Sequence, residues 1–142
     1  MAMLFDSIIA RLRAADRNTR LETLLDYSRK LRDLPPSLQA ASDRASHRVN
    51  ECQTPVFLWA LLHDGKVALH ADAPREAPTV RGFLALLQSR LDGATAAEVA
   101  AIPNDLLDQL GIAELLGMTR THGLTAVLLR VKALVAEVDP QA

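Results

Sequence analysis

The sequence contains very little cysteine, since Cys52 is the only one among 142 residues. An internal disulfide is therefore excluded, and one cysteine cannot build a zinc site alone. A free thiol agrees with a reducing compartment. Three interpretations of this thiol are open at this point: a nucleophile, a carrier of a chemical group, or a small buried side chain.

The chain also lacks a dominant charge and a long apolar run. Sixteen Lys and Arg residues balance seventeen Asp and Glu residues, which leaves a formal charge of -1 and no broad positive field for nucleic acid or anionic lipid. No run approaches the 18 or so apolar residues that a membrane span needs, and the first residues lack a signal-peptide core and cleavage site. We therefore expect a cytoplasmic protein that binds neither nucleic acid nor membranes.

Motifs that bind phosphates, dinucleotides or metals are absent as well. There is no glycine-rich phosphate loop, no GxGxxG after a strand and no pair of histidines at metal-ligand spacing. We therefore expect no cofactor and no metal on this chain. The 142 residues, 49% of them hydrophobic, suffice for one core, so a single domain over residues 1–142 is expected.

The apolar pattern predicts an α+β fold around one hairpin. An apolar run over residues 56–62 and an alternating stretch over residues 67–71 flank Asp64 and Gly65, the pair that a two-residue type I′ turn prefers. Two strands alone are marginal in water, so helices must cover one face. We expect a small antiparallel sheet built on one hairpin and covered by about six helices.

Two helices are predicted before the hairpin. The first ends near Asn18, and the second begins with a capping box formed by Thr19 and Glu22. Pro35 and the proline after it end that helix, because proline lacks a backbone donor and restricts the residue before it. Residues 37–50 have no apolar period and predict an exposed connector with about one helical turn.

After the hairpin, a helix ends at Gly93, which is typical of a C-terminal cap. Thr95 and Glu98 predict a second capping box in front of a short helix. The last helix is predicted to begin near Thr119 and to end at Pro140, with an apolar face over about five turns.

Cys52 lies in a polar stretch directly before the hairpin. Its neighbours Glu51, Gln53 and Thr54 favour a position in a loop over a position in a core stripe. His47 is a candidate base for the thiol, although a solvated loop histidine is the simpler interpretation. The residues alone leave the role of Cys52 open.

Three blocks of sequence, in order along the chain, are similar to those of a known family. They are Arg48-Val49 with Cys52-Gln53-Thr54-Pro55-Val56, then Thr79-Val80-Arg81-Gly82-Phe83-Leu84, then Leu116-Gly117-Met118-Thr119-Arg120-Thr121-His122-Gly123-Leu124. In these blocks the chain resembles the SufE family, the sulfur-acceptor proteins that work with cysteine desulfurases in iron-sulfur cluster assembly. The likeness runs from about Thr19 to Val138.

The resemblance implies that Cys52 accepts persulfide sulfur from a SufS-like cysteine desulfurase, stimulates that enzyme and delivers the sulfur to a SufBCD-like scaffold complex. Pyridoxal phosphate would belong to the desulfurase, and no independent turnover is expected of this chain. One thiol suffices for such a relay, whereas thiol-disulfide oxidoreductases usually need a second, resolving cysteine. A monomer or weak homodimer is expected.

The resemblance also implies which residues serve the site. Beside Cys52 as the reactive residue, the residues expected to shape the loop or bind the partner are Glu51, Gln53, Thr54, Asp72, Arg120 and Gly123. The loop is expected to hold the sulfur in an apolar cavity, with Val56, Phe57 and Trp59 as candidate lining. Glu51 stands where many members have Gly, so it adds a charge and a Cβ where a positive φ would otherwise be allowed.

Two other functions compete with the carrier. One is an adaptor that binds the desulfurase and regulates it without carrying sulfur. The other is an unrelated thiol enzyme that uses Cys52 with His47 or His122 as its base. A Cys52→Ser variant distinguishes the first from a carrier, and hydrolase activity without a partner would indicate the second.

Overall fold

The computed structural model describes residues 4–140, which form seven α-helices, one 3₁₀ helix and one antiparallel pair of strands. The helices are α1 (Asp6–Ala14), α2 (Arg17–Ser28), α3 (Pro36–Gln39), α4 (Pro78–Leu91), α5 (Ala96–Ala100), α6 (Leu106–Gln109) and α7 (Ala113–Val138). The 3₁₀ helix is Arg44–His47, and the strands are β1 (Phe57–His63) and β2 (Lys66–Asp72). The predicted α+β fold built on one hairpin is confirmed.

The hairpin turns at the predicted pair. Asp64 and Gly65 have φ values of 53° and 76°, as a type I′ turn requires at both central positions. On one face of the ribbon Leu58 and Leu69 are fully buried. Helix α4 packs on β2 and α7 packs on β1, so these two helices supply the cover that two strands need.

The outer edge of β2 is closed by the segment that follows α4. The Val67 N–H donates to the Ala94 carbonyl at 2.7 Å, and the Val67 carbonyl accepts from the Gly93 N–H at 2.9 Å. Further along the strand, Gln88 Nε2 donates to the Leu69 carbonyl at 2.9 Å. These bonds satisfy backbone groups that would otherwise be open to pairing with another chain.

Helices α2 and α4 approach each other at a glycine. A Cβ added to Gly82 would lie 2.2 Å from the backbone oxygen of Leu24, a distance that no side chain can occupy. The absence of a side chain at Gly82 therefore lets the two helix backbones pack closely. This contact holds the N-terminal helices against the face of the molecule that carries α4.

The N-terminal helices differ from the sequence prediction. Helix α1 ends at Ala14, and α2 is capped by Asp16, whose carboxylate accepts the Thr19 N–H at 2.8 Å. Hydrogen bonds from Thr19, first from its backbone and then from its side chain, lower the pKa of Asp16. The predicted capping box of Thr19 with Glu22 is wrong, because Asp16 already supplies the cap. Helix α2 ends at Ser28, before the predicted stop at the two prolines.

The C-terminal half follows the prediction more closely. The capping box of Thr95 with Glu98 is present, with both reciprocal hydrogen bonds formed. Helix α7 begins earlier than predicted, at Ala113, but its backbone leaves helical geometry at Gly117, where φ is 80° and ψ is 168°. The part of α7 after this break corresponds to the helix predicted to begin near Thr119.

Candidate functional site

A short antiparallel ladder closes the base of the Cys52 loop. The Val49 N–H donates to the Val56 carbonyl at 2.8 Å, and Arg48 pairs with Phe57 in an antiparallel bridge. Val49 and Val56 are both fully buried. Residues 50–55 therefore form a loop whose two ends are held together beside β1.

Inside this loop the thiol is buried while its neighbours face solvent. The Cys52 N–H donates to the Val49 carbonyl at 3.2 Å, which makes a tight turn. Cys52 is 6% exposed, whereas Glu51 and Gln53 are exposed. Among non-glycine residues of the described range, only Asp64 has a positive φ, so Glu51 causes no left-handed strain at this position of the loop.

The thiol lies against the backbone of α7 at Gly123. A Cβ built on Gly123 would lie 3.2 Å from Cys52 Sγ and 3.3 Å from Cys52 Cα. Both distances are shorter than an ordinary van der Waals contact between side chains. Gly123 therefore gives the loop room to place its sulfur directly on the helix.

A cavity of about 530 Å³ opens beside Cys52. Its lining comes from the loop and from α7 on both sides of the break at Gly117, namely Cys52, Gln53, Thr54, Leu116, Thr119, Arg120 and Gly123. Val56, Phe57 and Trp59, the predicted lining for the sulfur, do not border this cavity, although Val56 belongs to the same buried apolar cluster as Cys52. Polar side chains supply most of its lining, so it is not the apolar cavity that was expected.

Arg120 connects the rim of this cavity to another helix. Its Nη1 donates to Thr79 Oγ1 at 2.7 Å, and Thr79 belongs to the first turn of α4. Arg120 as a whole is exposed. A fixed cation therefore stands at the edge of the cavity that contains the thiol.

Asp72 lies outside this cavity. Its carboxylate forms an ion pair with Arg44 at 2.6 Å, and the Arg44 guanidinium lies over the Phe57 ring at 4.1 Å. Asp72 borders a different cavity of about 370 Å³, which Pro55 also lines. The structure thus separates Asp72 from Gln53, Thr54, Arg120 and Gly123, which line the cavity beside Cys52.

His47 is occupied by contacts away from the thiol. Its Nδ1 bonds the Leu58 carbonyl at 2.9 Å, its Nε2 lies 3.1 Å from Asp43 Oδ2, and its ring stacks on Trp59 at 4.9 Å. His122 is exposed and does not line the cavity beside Cys52. Neither histidine is placed to act as a base for this thiol, which weakens the interpretation as an independent thiol enzyme.

Sequence reasoning missed Leu116 and Thr119 as lining residues. Both belong to the third sequence block, whose Leu-Gly pair places a glycine where α7 breaks. A glycine inside an apolar helical pattern was the available signal for that break.

Metal binding and membrane insertion have no support in the part of the chain that is described. No group of three or more His, Cys, Asp or Glu side chains within residues 4–140 could hold a metal ion. None of the helices in that range is long and apolar enough to cross a membrane.

Fold and site define a small α+β protein that keeps one thiol at the wall of a polar cavity. A family model described as SufE, Fe-S metabolism associated domain, matches residues 6–135. The chain therefore belongs to the SufE family, and the resemblance inferred from the three sequence blocks is confirmed.

Individual relatives agree with this assignment. An uncharacterized SufE-like protein of Mycobacterium tuberculosis is 40% identical over 121 residues, which cover 84% of this chain and 82% of that protein. The sulfur acceptor protein CsdE of Escherichia coli is 35% identical over 107 residues, covering 72% of this chain and 71% of CsdE. The solution structure of a hypothetical protein from Thermus thermophilus superposes with a TM-score of 0.82 at 32% identity, over 95% of each chain.

Proposed function

We propose that this protein is a sulfur carrier that takes sulfur from the persulfide of a cysteine desulfurase onto Cys52. It would stimulate the desulfurase by removing the outer sulfur of its persulfide. It would then deliver this sulfur to an iron-sulfur scaffold complex. The observation that carries the proposal is the placement of the only cysteine, buried on a loop that is fixed at its base and borders a cavity. Membership of the SufE family and similarity to a sulfur acceptor protein support it.

The transfer is a thiol-persulfide exchange. The Cys52 thiolate attacks the outer sulfur of the partner's persulfide, a new S–S bond forms at Cys52, and the S–S bond of the partner breaks. The partner's cysteine leaves as a thiolate and takes up the proton that Cys52 has lost. One bond forms for each bond that breaks, so the step needs no external oxidant or reductant.

The buried position of Cys52 has a consequence for this reaction. Cys52 is 6% exposed and its sulfur lies against Gly123, so a sulfur atom on a bulky partner protein reaches it when the loop moves out of this contact. Burial at rest also protects a single thiol from oxidation while no partner is bound. The carrier therefore has to open its loop when the desulfurase binds.

Intact mass spectrometry tests the proposal directly. The purified protein is mixed with the cysteine desulfurase of its own organism and free cysteine, and we expect a product heavier by one sulfur atom. A Cys52→Ser variant, which keeps the shape of the loop, should show no added sulfur. If the wild-type protein gains no sulfur under turnover by the desulfurase, the carrier function is wrong.

The same variant separates the carrier from the adaptor. A carrier loses its stimulation of the desulfurase when Cys52 is replaced by Ser, because the persulfide is no longer removed. An adaptor keeps full stimulation with Cys52→Ser. Delivery to the scaffold is a separate step, measured by mixing persulfidated protein with the scaffold and following loss of the extra sulfur.

A further inference from the structure

A groove lined by arginines reaches the Cys52 loop at Pro55. Two adjoining cavities of about 370 and 510 Å³ share Asp33, Arg75 and Arg81, so they form one continuous groove. The arginines of this groove are Arg29, Arg32, Arg44, Arg75 and Arg81. Pro55, within the Cys52 loop, lines one end of it. The groove thus begins at the loop that carries the proposed transfer.

Ion pairs neutralise three of the five arginines. The pairs are Arg44 with Asp72, Arg29 with Asp26 and Arg32 with Asp92. The positive charge without an ionic partner therefore belongs to Arg75 and Arg81. Asp33 also lines the groove without an ion pair and offsets part of this charge.

Arg75 and Arg81 differ in how firmly they are held. Arg81 donates from Nη1 to the Ala73 carbonyl at 2.6 Å, which fixes the side chain but leaves its charge uncompensated. Arg75 is exposed, and within residues 4–140 it forms no hydrogen bond or ion pair. The groove therefore offers one oriented guanidinium and one that is free to adapt to a ligand.

The start of α4 adds to the positive potential of the groove. Pro78 lines the groove and is the first residue of α4. No side chain caps this helix start, and its first turn contains no acidic residue. The positive end of the helix dipole therefore supplements the charge of the two arginines.

We propose that this groove binds an acidic segment of the partner cysteine desulfurase, with carboxylates of that segment pairing with Arg75 and Arg81. This inference rests on the proposed function, because it names the same partner. Guanidinium groups bind carboxylates through paired hydrogen bonds, which is the charge complementarity the groove provides. A partner that reaches Cys52 also meets Pro55, so a protein that covers the loop extends naturally into the groove.

Reversal of one charge tests the proposal. Arg75→Glu removes the free cation and introduces repulsion, and its effect on the dissociation constant for the desulfurase is measured by calorimetry. Arg11→Glu is the matched control, since Arg11 is exposed on α1, outside the groove, and undergoes the same change of charge. We expect Arg75→Glu to weaken binding roughly three- to tenfold more than the control at low salt. The difference should shrink in about 1 M salt, where charges are screened within about 3 Å.

The outcomes separate this proposal from the proposed function. If both variants bind alike while Cys52 still gains sulfur, the groove proposal is wrong and the carrier function stands. If the wild-type protein neither binds the desulfurase nor gains sulfur, the groove proposal and the carrier function are both wrong. If Arg75→Glu changes only the self-association seen by size-exclusion chromatography, the groove binds a second copy of this chain and the proposal is overturned. Thermal unfolding of each variant verifies that it is folded.

Discussion

At Gly123 a missing side chain determines where the thiol lies. A Cβ on Gly123 would lie only 3.2 Å from Cys52 Sγ, so the sulfur can take this position because Gly123 has no side chain. Gly123 has no positive φ, so a larger residue would meet no backbone strain there, only the contact with the loop. The buried state of the thiol therefore depends on the size of one residue of α7.

Gly123→Ala should make Cys52 more reactive. The added methyl group presses on the sulfur and on the loop backbone, and it destabilises the buried position of the loop relative to open positions. We expect Cys52 to react about fivefold faster with a thiol reagent, which corresponds to about 1 kcal/mol. The measurement is the pseudo-first-order rate with 5,5′-dithiobis(2-nitrobenzoic acid).

His122→Ala is the control for this substitution. His122 is the neighbour of Gly123 on α7, but it is exposed and does not border the cavity. Its replacement should leave the rate unchanged. A Gly123→Ala protein that reacts at the wild-type rate, or more slowly, would contradict the idea that Gly123 sets the burial of the thiol.

Strand β2 depends on α4 for part of its outer edge. Gln88 is 3% exposed, and its side chain both donates to the Leu69 carbonyl and accepts from the Arg32 N–H at 3.3 Å. A two-stranded ribbon has two edges and little stability of its own. This glutamine therefore links the hairpin, α4 and the segment after α2.

Gln88→Leu should destabilise the fold. Leucine fills a similar volume but leaves the buried Leu69 carbonyl without its partner, which costs about 1–3 kcal/mol. Urea unfolding gives the change in the free energy of unfolding. Gln109→Leu is the control, because Gln109 bonds the exposed Asp105 at 2.7 Å and its loss should cost below about 0.5 kcal/mol. Equal losses in both variants would contradict a special role for Gln88.

Local signals explain which elements could be predicted from the sequence. The turn at Asp64 and Gly65 and the capping box of Thr95 with Glu98 each depend on residues within one turn of chain, and both were predicted. The start of α2 was missed because the prediction followed the capping-box pattern of Thr19 with Glu22 and did not consider Asp16, although Asp is favoured over Thr as an N-cap. Asp16 forms the cap in the structure.

Contacts between distant residues explain what could not be predicted at the site. The position of Cys52 in a loop follows from its polar neighbours, but its contact with Gly123 joins the loop to the last helix. Likewise the sequence gives no sign that Arg44 pairs with Asp72 and keeps it away from the cavity beside Cys52. Such pairings depend on how helices pack around the hairpin, which periodicity does not specify.

For the whole molecule, His70 makes stability depend on pH. His70 lies on β2 and is half-buried. Burial is the main cause that lowers its pKa, and the positive charge of Arg32 lowers it further, while the negative charge of Asp92 has a smaller opposing effect. The unfolded chain therefore binds a proton more readily than the folded one. The stabilisation from neutral His70 is present above the ordinary histidine pKa of about 6.5 and is lost as pH falls below it.

His70→Gln should remove this dependence. We expect the free energy of unfolding of the wild-type protein to fall more between pH 7.5 and 5.5 than that of His70→Gln, measured by urea unfolding at each pH. His122→Gln is the control, since His122 is exposed on α7 and is not among the groups that shift the pKa of His70, so it should leave the wild-type slope in place. A slope that is the same in His70→Gln and wild type would contradict the assignment to His70.

The ladder between Val49 and Val56 limits how far the sulfur can travel. Three residue steps separate Val49 from Cys52, and an extended chain spans at most about 3.3–3.6 Å per residue. Cys52 Cα can therefore move no more than about 11 Å from Val49 Cα while the ladder holds. In the proposed relay, donor and acceptor must therefore both bring their own sulfur atoms to this one small region of the surface. They cannot occupy it together, so the protein has to leave the desulfurase before it can serve the scaffold.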